Sequence, residues 1–304
     1  MNPVRVLYYL RNNRELLLAL AIKHPKWFSD KLFLKTMFWH FMGTELNLNN
    51  PKTFSEKLQW LKLYDRKPEY TRMVDKYEAK KYVADIIGDE YIIPTLAVYD
   101  STSEIDLDAL PDRFVLKCTH DSGSVAICKD KKTFKRDEAF AMLEKGLRKN
   151  FFWENREWPY KNVKPRIIAE AYLEDKDTPE LRDYKFFCFG GEVKYCQVIS
   201  GRSSSMCIDF FDRDWNHQPF HEPHNYPFAK SMIERPNQLE RMWHAATLLS
   251  KDKPFSRIDF YEIGDCVYFG EITFFPTSGF GGFYPKEWDL IFGGWLKLPS
   301  KKTT

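Results

Sequence analysis

Apolar and polar positions change their rhythm twice along the chain. Leu16 to Ile22 forms one apolar block, and Phe54, Leu58 and Leu61 recur at helical spacing behind Thr53 or Ser55, the candidate N-caps. Residues 1 to about 70 therefore read as helical. From Asp75 short helices and strands alternate. The pattern predicts a helix over Asp75 to Ile87 stopped near Gly88, an extended segment over Tyr91 to Leu96, and strands over Phe114 to Cys118 and Val125 to Cys128. A helix over Phe134 to Arg148 follows. The remainder is mostly strand: Arg166 to Tyr172, Tyr184 to Phe189, Glu192 to Ile199, Cys207 to Phe211, Arg257 to Tyr261 and Cys266 to Phe274, with a helix over Gln238 to Leu249. Loose alternation of strand pairs and helices predicts an α+β fold with two sheet-bearing lobes and no internal repeat.

Composition narrows the class. Lys and Arg number 46 against 43 Asp and Glu, a net charge of +3, so no broad basic field for nucleic acid is indicated. Aromatic residues make up 16% of the chain, which excludes disorder over most of the length. No apolar run reaches the roughly 18 residues of a membrane span, because Arg11, Arg14 and Glu15 interrupt the first one, and no small-residue cleavage site marks a secretory signal. The aromatic, basic start (Arg5, Tyr8, Tyr9, Arg11, Arg14) suits a membrane surface or, more ordinarily, a helix packed on the domain. Six cysteines without a C-x-x-C pair, most in apolar strand contexts, read as reduced structural thiols.

Three segments carry candidate chemistry. Lys117 lies in the apolar run Phe114-Val115-Leu116-Lys117-Cys118, where a lysine is costly unless an anion meets it. The loop Thr119-His120-Asp121-Ser122-Gly123-Ser124 follows, with hydroxyls and backbone N–H groups suited to phosphate oxygens. An ordinary hairpin with a structural ion pair would look the same. In Arg257-Ile258-Asp259 and Glu271-Ile272-Thr273 the strand period places Arg257 with Asp259 and Glu271 with Thr273 on one face each. A hairpin across Gly264-Asp265 brings the two carboxylates together, and either Mg²⁺ bridges them or they form a solvated face balanced by Arg257. Third, in the segment Pro165 to Leu173 a buried-type strand ends in Glu170 and leads into the acidic stretch Glu174 to Glu180, as a strand entering a hinge would or, more ordinarily, as any strand end does. Asp212-Arg213-Asp214 forms a D-x-D, the metal and sugar-nucleotide motif of many glycosyltransferases, or a plain turn after the Cys207 to Phe211 strand.

Taken in order, Asn50-Pro51-Lys52-Thr53-Phe54-Ser55-Glu56-Lys57, Asp75-Lys76-Tyr77, Leu110-Pro111 with Phe114 to Lys117, Asp183-Tyr184-Lys185-Phe186 and Phe269-Gly270-Glu271 resemble the ATP-grasp superfamily, and within it the TupA-like branch of teichuronopeptide biosynthesis in bacterial polysaccharide clusters. The resemblance implies a helical N-terminal extension (1–70), a shortened pre-ATP region (71–110), a small ATP-grasp lobe (111–173) and a large lobe with the metal and acceptor site (174–304). It implies ATP and Mg²⁺ as cofactors: Lys76 and Lys117 at the phosphates, His120, Ser122, Gly123 and Ser124 closing over them, Glu170 with the Ala171 and Leu173 backbones at the base, and Asp259, Glu271 and Thr273 at the metal. Lys185, Arg202 and Arg257 would act on the transferring group. Thr273 stands where the superfamily's E-x-N motif has Asn. The implied reaction is an ADP-forming carboxylate-amine ligation through an acyl-phosphate. It would join an amino-acid amine to a uronic or glutamyl carboxylate on a glycan or lipid-linked saccharide, in the cytoplasm or peripherally at the inner face of the membrane. Phe280, Phe283, Tyr284 and Trp288 are expected to stack on a sugar acceptor.

Overall fold

The computed structural model describes residues 13–175, 181–201, 205–222 and 226–300. The N-terminal third supplies five helices: α1 (Arg14–Lys23), α2 (Asp30–Met42), α3 (Phe54–Tyr64), α4 (Glu69–Val74) and α5 (Glu78–Ile87). Of the two candidate caps, Thr53 is the one used. Its hydroxyl accepts from the Glu56 N–H while the Glu56 carboxylate accepts from the Thr53 N–H, a reciprocal capping box that fixes where α3 begins. The predicted helix at Asp75 starts three residues later, because Asp75 to Tyr77 is a turn whose Lys76 N–H donates to the Thr119 carbonyl at 3.0 Å.

Two antiparallel sheets follow. The small sheet runs β1 (Thr95–Tyr99), β4 (Ile167–Ala171), β2 (Phe114–Cys118), β3 (Val125–Cys128). Its first strand comes from the segment expected to precede the lobe. Phe114, Leu116 and Cys118 point to one face and pack with Leu143 of α6 (Arg136–Leu147), while the alternation turns Val115 and Lys117 to the other. The large sheet runs β7 (Cys207–Phe211), β6 (Glu192–Ser200), β5 (Asp183–Phe189), β8 (Phe255–Ile263), β9 (Cys266–Thr273). A short α7 (Phe152–Asn155) lies between β3 and β4 in sequence, and α8 (Leu239–Ser250) and α9 (Glu287–Trp295) cover the large sheet.

The large sheet is buried on both faces. Phe186 meets Trp243 of α8 at 5.8 Å and Phe260 at 5.9 Å. On the opposite face Phe187 packs at 6.1–6.2 Å from Phe283 and Phe292, and Phe54 of α3 reaches Phe255, Phe283 and Phe292. Each fully buried Phe contributes on the order of 1.5–3 kcal/mol, so this aromatic layer makes the N-terminal helices part of the large lobe. Gly293 permits the contact between α9 and α3, since a Cβ there would lie 2.8 Å from the Phe54 nitrogen. Phe280 and Phe283, expected to stack on a sugar, belong to this core, and Trp288 lies 4.4 Å from Phe220; Tyr284 alone of the four is exposed. The thiols are all free, with Cys118, Cys128, Cys188 and Cys196 buried.

Candidate active site

On the open face of the small sheet, Val115 of β2 lies opposite Glu170 of β4. That register puts Lys117 and Glu170 on one side, and the Lys117 ammonium pairs with Glu170. Lys80 of α5 takes the other carboxylate oxygen at 2.5 Å and donates to the Ile93 carbonyl at 2.7 Å. Burial pushes the Glu170 carboxyl up, but Lys117 and Lys80 outweigh it and hold it below the ordinary range. Glu170 is thus the shared anion of two lysines. The Ala171 N–H, expected at the base, donates to the Pro94 carbonyl at 3.0 Å. Beside Lys117 the face carries Val115, Val125 and Ile127, the last two 40% and 55% exposed.

The loop after β2 divides. Ser122 and Gly123 are exposed, with Gly123 at φ +99°, whereas His120 turns into the lobe and its Nε2 lies 3.1 Å from the Gly146 carbonyl of α6. Asp121 holds the Ser124 hydroxyl through its side chain and Lys76 through its carbonyl. Lys76 is half-buried, and desolvation lowers its pKa against the opposing acidic charges of Glu271 and Asp121. Lys76 therefore stands where the two lobes meet.

In the large sheet, β8 and β9 form the expected hairpin, with Asp259 opposite Glu271 and Arg257 opposite Thr273. Lys185 of β5 lies opposite Asp259 from the other side. The repulsion between the carboxylates is relieved by Arg257 itself. Its guanidinium donates to Asp259 at 2.8 and 2.7 Å, to Glu271 at 2.9 Å and to the Thr273 hydroxyl at 3.2 Å, and Lys185 completes Asp259. Burial pushes Glu271 up, yet Arg257, Lys185 and Lys76 prevail and bring it down to about 2. Arg257, expected at the transferring phosphate, is committed to carboxylates. Asp259 is 2% exposed in its side chain with both oxygens engaged, while the Glu271 side chain is 43% exposed and reaches the cleft. Among the described residues no group of three or more His, Cys, Asp or Glu could hold a metal ion. A hard cation suits the oxygen donors of Glu271 and Thr273 at the cleft, with Asp259 behind them. Arg202 lies outside the described residues.

Sequence reasoning missed a third layer. Lys62 of α3, fully buried, donates to the Asn155 carbonyl at 2.8 Å and the Ser278 carbonyl at 2.7 Å. Lys62 stands four residues after Leu58, on the apolar stripe of α3, and that position was a legible signal. Lys80 carried a weaker one, four residues after Lys76.

A cavity of about 840 Å³ lies elsewhere. It lies at the far end of the large sheet between Gly190, Lys194, Asp212, Asp214, Glu240 and His244, and holds none of these site residues. Within it Asp212 closes a turn, accepting from the Asn216 N–H at 2.9 Å and its side-chain amide at 3.0 Å.

Among solved structures the chain is similar to D-alanine–D-alanine ligase from Bacillus anthracis, at 18% identity and TM-score 0.39 over 66% of this chain and 56% of that one. It is also similar to the same ligase from Helicobacter pylori (16%, 0.39, 75% and 61%) and to the ATP-grasp ligase PsnB complexed with minimal precursor, Mg and ADP (12%, 0.37, 72% and 57%). It spans less than two thirds of the length of each. No curated protein matches the chain. The family model described as TupA-like ATPgrasp matches residues 56–297, from the capped start of α3 past the end of α9, and so takes in both sheets and every paired charge described above: the chain belongs to the TupA-like ATP-grasp family.

Proposed function

We propose that the protein is an ATP-dependent, ADP-forming carboxylate-amine ligase of bacterial surface-polysaccharide assembly, joining an amino-acid amine to a uronic or glutamyl carboxylate. The observation that carries this reading is the charge balance of the two facing sheets. Two lysines share one glutamate on the small sheet, leaving positive charge for a triphosphate. On the large sheet Lys185 and Arg257 hold Asp259 and Glu271 in place, and the Glu271 carboxylate remains 43% exposed to a divalent cation.

In this reading the apolar shelf of Val115, Val125 and Ile127 receives the base, with Glu170, Ala171 and Leu173 at its edge. Lys117 and Lys76 meet the phosphates, and the exposed Ser122-Gly123 tip, with Ser124 behind it, folds over them. Asp259, Glu271 and Thr273 would hold Mg²⁺, which neutralises phosphate charge when bound. Lys185 and Arg257 keep the carboxylates ionised and oriented, and Arg202 serves the acceptor side. The substrate carboxylate oxygen attacks the γ-phosphorus as the bond to ADP breaks. The amine nitrogen then attacks the acyl carbon, phosphate leaves and the amine gives up a proton. No protein nucleophile is required, and positioning with charge neutralisation carries the rate.

The test is ADP and phosphate release from Mg²⁺ and ATP on adding D-glucuronate with single amino acids. Release that needs both partners is expected. Consumption of a nucleotide sugar with indifference to ATP would overturn the reading.

A further inference from the structure

Among the described residues, the segment that leaves β9 holds the longest run of left-handed backbone. Thr277, Ser278 and Gly279 have φ values of +47°, +52° and +64° in succession, although the first two carry side chains and one is β-branched. Such a run is strained, and it persists only where its surroundings over-determine it. Here they do. Gln59 and Lys62, both buried on α3, reach across to this turn. Gln59 Nε2 donates to the Ser278 and Gly279 carbonyls at 3.1 and 2.7 Å, and Lys62 Nζ donates to the Ser278 carbonyl. The Ser278 hydroxyl donates to buried Glu157 at 2.6 Å and accepts from the Asn155 side-chain amide at 3.1 Å. A Cβ at Gly279 would lie 2.6 Å from Gln59 Nε2 and 2.9 Å from Leu58 Cβ, so the turn is seated directly on α3.

Location gives this clamp its meaning. The turn begins four residues after Thr273, and with Phe54, Ser55 and Glu222 it lines a narrow cleft. Glu222 also acts electrostatically on Arg257, so the cleft lies on the charged side of the large sheet. A buried lysine is expensive, and polar contacts that serve only α3 would not need one.

We propose that Lys62 is a positioning residue: with Gln59 and Glu157 it holds the Thr277–Gly279 turn in its left-handed form, and the turn fixes the acceptor rather than the nucleotide. This rests on the ligase reading for the acceptor but not for the clamp, and the experiment separates them. Hydrogen exchange of a peptide covering residues 276–284 is followed in the wild type, Lys62→Met and Lys62→Gln, alongside binding of Mg²⁺ and ATP. ADP release is then titrated with a D-glucuronate and L-glutamate mixture. Lys62→Met should speed exchange at the turn by about tenfold or more, leaving the 114–118 peptide unchanged. It should raise the half-saturating acceptor concentration about tenfold while the KM for ATP stays within about twofold, and Lys62→Gln, which keeps donors, should recover part of both. Unchanged exchange at the turn overturns the clamp. Loosening with an equal loss of ATP affinity overturns the assignment to the acceptor. A wild type that fails to bind ATP defeats the ligase reading instead, and the exchange result still decides the clamp.

Discussion

The two sheets solve the problem of burying charge in opposite ways. On the small sheet one carboxylate, Glu170, is shared between Lys80 and Lys117, and the face beside it is left uncovered. On the large sheet the charges interlock, with Arg257 touching Asp259, Glu271 and Thr273 and Lys185 touching Asp259, under a layer of phenylalanines on both faces. A shared anion tolerates the loss of one partner, because the other still satisfies it. An interlocked set does not. The first arrangement can release a lysine to a ligand at small cost, and the second can only hold a geometry.

The sharpest way to break this contrast is Asp259→Ala. It strands Arg257 and Lys185 without their common carboxylate, and a loss of about 3–5 kcal/mol in unfolding free energy is expected, together with loss of ADP formation. A near-wild-type denaturant midpoint would mean that the large-sheet charges are not interlocked. Lys117→Met should behave differently, because Lys80 keeps Glu170 paired. The fold survives, while affinity for Mg²⁺ and ATP measured by calorimetry falls by about 10- to 100-fold, the worth of one charge-assisted phosphate contact.

A smaller effect concerns Lys62, whose burial brings its pKa down to about 7 against the pull of Glu157. Between that value and the ordinary 10.5 the unfolded chain binds a proton that the folded chain does not, so raising pH across this window stabilises the fold. Relative to Lys62→Met, the wild-type Tm should rise by at most about 2–4 °C per pH unit from pH 7 upward. A constant difference would show that Lys62 stays charged. Least of all should change in the double variant Asp212→Asn and Asp214→Asn. These residues sit at the far cavity, and ADP release is expected within about twofold of wild type; a collapse of activity would revive the D-x-D as a sugar-nucleotide motif.

Elements whose signal is local were legible. The strands at 114–118 and 125–128 fall where the alternation puts them, and the Asp259 and Glu271 pair follows from a hairpin with a short turn. The helix at Glu287–Trp295 was not legible, because Phe280, Phe283, Tyr284 and Trp288 read as an acceptor platform until Phe283 is seen packed on Phe54 and Trp288 on Phe220. His120 likewise reads as part of a phosphate loop until Gly146 is found beneath it.

What the sequence by itself determined was the family, the α+β class and which residues carry charge into apolar surroundings. Those follow from short-range periodicity and from ordered motifs. Which charge meets which was decided only by the tertiary structure. Lys62 finds its carbonyls 93 and 216 residues away, and Arg257 touches both carboxylates that the sequence left to either a bridging metal ion or Arg257 itself. Burial makes an unpaired charge costly without saying where its partner lies in the chain, so the demand was local and the answer was not.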